Sequence, residues 1–115
     1  MKTRSAKAKG RRLQNEVCQM LLEHFKEKLQ EGDLRPALMG ESGEDIKRSP
    51  LAKRLLPFSF ECKNQEKLNI WSALEQAAHN SGDGDSAVVV FKRNRSNTYV
   101  ALDFEVFMNL LGNAK

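Results

Sequence analysis

The sequence predicts an α/β domain in which a mixed central sheet is flanked by helices. Three observations carry that prediction. Phe58-Ser59-Phe60-Glu61-Cys62-Lys63 alternates with period two, the signature of a half-buried strand. Two stretches, 11–31 and 69–80, repeat their apolar residues at helical spacing. Between and after them lie short apolar runs bounded by turn residues, so helices and strands alternate along the chain. With 115 residues, 40% hydrophobic and 30% charged, the chain suits one folded domain. That composition excludes wholesale disorder, collagen and a disulfide-stapled miniprotein.

In chain order, residues 1–10 lack large apolar side chains after Met1 and read as a basic flexible tail; 11–115 form the domain. Leu13, Val17, Met20, Leu21, Phe25 and Leu29 define one broad side of the first helix, which Gly32-Asp33 ends. Arg35 to Met39 reads as a short strand despite Pro36. Gly40 to Glu44 is turn-rich, and Asp45-Ile46-Lys47 begins a second short strand. Residues 48–57 read as a basic loop with one helical turn over Leu51 to Leu56. After the strand Phe58–Lys63, Asn69 caps a helix whose stripe is Ile70, Trp71, Leu74, Ala77 and Ala78. Trp71 reads as a core or interface anchor. Ser81 to Asp85 breaks the helix. Ala87 to Phe91 is an interior strand, Lys92 to Asn97 a basic turn, and Thr98 to Leu102 the returning strand. Asp103 caps a final helix that docks through Phe104, Phe107, Met108, Leu110 and Leu111.

Net charge is +4, and its distribution is uneven. Lys2, Arg4, Lys7, Lys9, Arg11 and Arg12 crowd the first twelve residues without one acid, so the rest is slightly acidic. Such a run suits phosphate binding through counterion release, or merely solubilises a terminus. Lys47, Arg48, Lys53 and Arg54 form a second basic group, and Lys92, Arg93 and Arg95 a third. These are expected to contact phosphates and not bases, because no recognition helix is evident. A solvated hairpin tip is the plain alternative for the third group. No run approaches the roughly 18 apolar residues of a membrane span, and no secretory leader pattern is present. Cys18 and Cys62 have no zinc spacing and read as buried free thiols in a reducing cytoplasm. No Gly-Lys-Ser/Thr follows Gly40 to Gly43, so no nucleotide cofactor is expected. His24 and His79 are isolated and read as surface or helix-end residues, not as ligands or general bases.

Glu16, Asp45, Glu61, Lys63 and Gln76 hold the chemistry. Glu61 and Lys63 lie two apart on a strand and leave by the same face. Opposite charges on a half-buried strand need a partner or a ligand. If Asp45 lies on the neighbouring strand, two carboxylates converge and attract a hard divalent cation, most naturally Mg²⁺. A lysine beside them orients or deprotonates water attacking a phosphodiester. A cross-strand salt bridge without chemistry is the alternative. Glu16 sits about 60° from Leu13 and 40° from Met20 on a wheel of 100° per residue, at the border of the packed face. Both a surface role and a water-mediated metal role fit it. Gln76 is either an ordinary polar residue beside the apolar stripe or a group orienting water.

In these residues the chain resembles the PD-(D/E)xK nuclease superfamily, nearest to the archaeal-type and phage Holliday-junction resolvases, over roughly residues 11–103. An early helix supplies a glutamate, matched by Glu16. A hairpin strand supplies an aspartate, matched in Gly43-Glu44-Asp45-Ile46. The next strand supplies an acid-x-Lys signature, matched in Phe60-Glu61-Cys62-Lys63, and the following helix a glutamine, matched by Gln76. The proline usually found before the aspartate is absent, leaving Glu44 or Asp45 as the site acid. Asp45 is preferred, since Glu44 would occupy the opposite strand face. The resemblance implies a restriction-endonuclease-like core and a Mg²⁺ site on Asp45 and Glu61, with Glu16 as a further metal residue and Mn²⁺ able to substitute. It implies Lys63 as the catalytic lysine and metal-dependent hydrolysis of DNA, with four-way or branched DNA as the expected substrate, during bacterial or phage recombination. A homodimer is expected, with the final helix as one candidate interface. A noncatalytic nucleic-acid-binding module and a small structural or interaction protein are the competing functions.

Overall fold

The computed structural model describes residues 2–112. The expected outer limits of tail and domain, residues 1 and 115, lie outside the described residues. The first element is longer at one end and shorter at the other than the sequence suggests: helix α1 spans Lys2–His24. Residues 2–10, expected as a flexible tail, thus continue the helix. Ala, Lys and Arg are strong helix formers, and propensity needs no apolar stripe once Leu13 and Val17 anchor the following turns. The Lys9 ammonium also lies 3.6 Å from the Glu66 carboxylate, tying this segment to the domain. At the other end, the Lys26 and Lys28 amides bond three residues back, tightening the turn. The chain leaves the helical path there, and Leu29 enters the core from the turn.

Strands β1 (Leu34–Pro36) and β2 (Ile46–Arg48) form an antiparallel pair. Both are shorter than, or displaced from, the segments read from sequence. Ser49 caps helix α2 (Pro50–Leu55), its hydroxyl accepting the Ala52 amide. Strand β3 (Phe58–Asn64) runs parallel to β4 (Ser86–Lys92), and β4 runs antiparallel to β5 (Tyr99–Leu102), giving the order β3-β4-β5. Helix α3 (Ile70–Asn80) makes the crossover that the parallel pair requires. The result is an α/β domain with a mixed three-stranded sheet, a two-stranded sheet and helices on both faces.

Alternation along β3 and β4 divides the core in two. Phe60, Cys62, Val88 and Val90 meet Leu13, Val17 and Cys18 of α1. Val89 meets Ala73 and Ala77 of α3 on the other face. The small alanines at i and i+4 let α3 lie close to the sheet. That seam rotates the expected stripe: Trp71, expected as an anchor, is 75% exposed, and Ala78 is exposed as well. Helix α4 (Phe104–Gly112), capped by Asp103, buries none of its residues, although its apolar side chains were expected to dock. Both cysteines are free and buried, as expected. Among the described residues no helix is long and apolar enough to cross a membrane.

Candidate active site

The two sheets meet at Asp45. Its amide donates to the Phe60 carbonyl (3.0 Å), and its Oδ2 accepts the Cys62 amide (2.8 Å). Both bonds go to the edge of β3 that β4 leaves free. Gly43, at φ 91°, turns the chain into this position with a dihedral that L side chains resist. Asp45 is therefore clamped beside β3 by its backbone and its side chain together.

Glu44 and Asp45 have different partners. Glu44 bonds Arg48 through two oxygens, at 2.8 and 2.9 Å. Arg48 also bonds Asp85 at 2.6 and 3.3 Å and the Leu56 carbonyl at 2.6 Å. Glu44 is thus occupied in a buried ion network, and Asp45 is the acid that faces Glu61. The same network removes Arg48 from the expected phosphate contacts. Its guanidinium is fully buried and joins β2, α2 and the loop before β4.

Glu61 is 3% exposed, deep on the α3 face of β3. Its Oε1 accepts the Asn80 amide group at 3.3 Å, and its Oε2 lies 3.8 Å from the Lys63 ammonium. That ammonium donates to Gln76 Oε1 at 2.6 Å. Period two explains the arrangement: Glu61 and Lys63 leave β3 together, and Gln76 and Asn80 stand one turn apart on α3 above them. Gln14 of α1 lines the same concavity as Asp45.

Burial, above all, raises the pKa of both Asp45 and Glu61; the Asp45 charge pushes Glu61 further in that direction. The Cys62 amide, Lys63 and Gln14 favour ionised Asp45, yet they do not offset its desolvation. The Cys62 thiol is raised too, again by burial first. Two carboxylates side by side and incompletely compensated are a donor set for a hard divalent cation. The residues present therefore fit Mg²⁺, which keeps several waters and needs only one or two protein carboxylates. Among the described residues no three His, Cys, Asp or Glu side chains cluster as ligands.

Linkage fixes the sign of the pH effect. The folded chain holds protons on Asp45 and Glu61 at pH values where the unfolded chain has released them. Their contribution to stability is highest below the ordinary values of 3.8 and 4.5 and falls as pH rises through the raised ones. Asp45→Asn and Glu61→Gln are thus expected to raise the metal-free melting temperature at pH 7, with the gain shrinking towards pH 4. Thermal unfolding in EDTA at both pH values measures this.

A concavity of about 340 Å³ includes the pair and is lined also by Lys7, Arg11 and Gln14 of α1 and by Leu38, Met39 and Glu41 of the loop after β1. Glu16 does not reach it. From Gln14 to Glu16 is about 200° around the helix, so with Gln14 lining the concavity the glutamate faces away. It stands exposed, and its expected metal role falls away. Sequence reasoning missed Asn80, which bonds Glu61, and Gln14, which lines the concavity with Asp45. A signal for Gln14 existed: Lys7, Arg11 and Gln14 form a polar stripe at spacings of four and three, beside the buried Leu13 and Val17.

The other basic residues are dispersed. Arg12 is exposed on α1, while Lys9 is paired with Glu66. Lys47 donates to the Ser42 carbonyl, and Lys53 and Arg54 stand exposed on α2. Lys92 and Arg93 line a second depression with Phe91 and Tyr99, and Arg95 occupies the following turn at φ 60°. A smaller depression shares Lys63 and Gln76 with the carboxylate concavity, and Gln65 and Leu68 with the second one. No protein-family profile, no curated protein and no solved structure matches the chain.

Proposed function

We propose that this chain is a Mg²⁺-dependent endonuclease of the PD-(D/E)xK kind, hydrolysing DNA phosphodiesters and selecting branched DNA in the bacterial or phage-infected cytoplasm. The observation that carries the proposal is the convergence of Asp45, Glu61 and Lys63, with an ammonium 3.8 Å from one of two adjacent carboxylates. A salt bridge serving only stability does not call for a second, undercompensated acid beside it. The β3-β4-β5 sheet with α1 and α3 on its faces is also what a small restriction-endonuclease-like core would retain.

Asp45 and Glu61 would hold the cation, and the same oxygen donors accept Mn²⁺. A divalent cation held there would supply Lewis-acid polarisation of a phosphate oxygen and a more acidic water. Lys63 holds the attacking water or donates to the phosphate oxygen as charge develops. Gln76 fixes the ammonium, and the Cys62 amide fixes Asp45. Glu61, buried and bonded to Asn80, excludes bulk water from its side of the pair. Lys7 and Arg11 meet the phosphates flanking the bond that breaks. The linked depressions towards Lys92 and Arg93 give a strand a path past Lys63. Pairing of two copies, with α4 as the contact, belongs to the same proposal and gives the two sites that a four-way substrate needs.

Incubation of the purified protein with linear, flapped and four-way DNA, with Mg²⁺ or with EDTA, tests this. Mg²⁺-dependent products favouring the branched forms, lost in Asp45→Ala, are expected. Salt-sensitive binding without product would instead favour a noncatalytic DNA-binding module. Negligible DNA affinity would leave a protein-interaction role.

A further inference from the structure

Leu38 and Met39 are 68% and 78% exposed, among the least covered large apolar side chains of the domain, and both line the carboxylate concavity. Their loop is held firmly. The Glu41 amide donates to the Leu38 carbonyl (2.9 Å), closing a turn whose third residue, Gly40, takes φ 83°. The Glu41 carboxylate returns to the Leu38 amide (2.8 Å) and is gripped by Arg35 through two bonds of 3.0 Å. The Arg35 bond, first, and the Leu38 amide hold its pKa down to about 2. The Ala37 amide donates to the Asp45 carbonyl (2.8 Å), which fixes the base of the loop to the site itself. A rigid turn therefore displays two adjacent apolar side chains at the rim of the concavity that the cationic Lys7 and Arg11 also line.

We propose that Leu38 and Met39 are a wedge that enters an unstacked base step of the DNA and so selects substrates with an opened or branched duplex. This rests on the nuclease assignment above and names the feature that its substrate must carry. Apolar side chains are hidden from water between bases, and a branch point, where stacking is already broken, lowers the cost of entry. Lys7 and Arg11 select a polyanion for this rim, in preference to a neutral apolar partner. The short link from Ala37 to Asp45 sets the wedge within a few residues of the carboxylates, so the opened step and the scissile phosphate are neighbours.

The test uses four-way and linear DNA carrying 2-aminopurine at the branch or the matching duplex position. Ca²⁺ replaces Mg²⁺ to prevent cleavage, and protein is added to saturation as followed by anisotropy. Unstacking by the wild type is expected to raise emission at least about twofold on the four-way substrate and less on the linear one. Leu38→Ser/Met39→Ser, with an unchanged melting temperature, is expected to leave emission at the level of free DNA. Leu38→Met/Met39→Leu is expected to restore the rise. An undiminished rise with the double serine variant, or no rise with saturating wild type, overturns the wedge. Cleavage in Mg²⁺ without that rise leaves the nuclease standing and the wedge refuted; the rise without cleavage does the reverse. Absence of DNA binding overturns both.

Discussion

Lys63→Ala is expected to lower Mg²⁺-dependent cleavage at least about 100-fold, the usual scale for losing a positioned proton-transfer or charge-stabilising group. The side chain is partly exposed and, among the described residues, its ammonium bonds only Gln76 at short range, so truncation opens little of the core. Thermal stability should change by no more than about 1 kcal/mol. Gln76→Ala, which removes the support and leaves the ammonium, is expected to cost less. Single-turnover cleavage measured beside thermal unfolding separates a chemical defect from a folding defect. An unchanged rate in Lys63→Ala would remove the lysine from the mechanism.

The largest expected loss of stability lies elsewhere, at Arg48. Its guanidinium is fully buried and bonds Glu44, Asp85 and the Leu56 carbonyl. Arg48→Ala leaves two largely buried carboxylates and one carbonyl without their donor, at a cost of about 3–5 kcal/mol. Denaturant unfolding reads that cost as a lower midpoint at unchanged slope. A loss below about 1 kcal/mol would mean that the network is solvated in solution. Wherever the variant stays folded, its DNA affinity and salt dependence are expected to match the wild type, because this cation meets carboxylates and no phosphate.

Arg48 also shows where sequence reasoning stops. In the run Lys47-Arg48-Ser49-Pro50 it reads as one basic residue among several, because both acids that claim it are placed by the fold. Asp85 lies 37 positions away, and the contact forms only when β4 is laid beside β3. Glu16 and Gln14 fail for a subtler reason. The wheel defines the buried face of α1 well, but the site touches the helix at one border of that face, and periodicity does not tell the two borders apart. The basic start of α1 misleads in the opposite sense: it lacks apolar residues, yet Ala and Lys propagate a helix already anchored further on. Trp71 misleads through size, since α3 approaches the sheet on alanines and leaves the large ring outside.

What the sequence did carry was the chemistry of β3. Strict alternation placed Phe60 and Cys62 in one layer and Glu61 and Lys63 in the other, and the structure keeps that division. The turn-rich Gly40 to Glu44 also holds, whereas Glu44 and Asp45 both precede β2 and are separated by the Arg48 network and not by strand face. Legibility was greatest where a local period of two or a glycine decided the outcome. It was least where two distant segments had to meet.

The central claim is that Asp45 and Glu61 together form a site for a divalent cation. Calorimetric titration of Mg²⁺ into metal-free wild type, Asp45→Asn and Glu61→Gln tests it without DNA and without turnover. Saturable binding by the wild type, weakened at least about tenfold by either substitution, is the expected result. Equal binding by all three proteins, or none by the wild type at millimolar Mg²⁺, would contradict it.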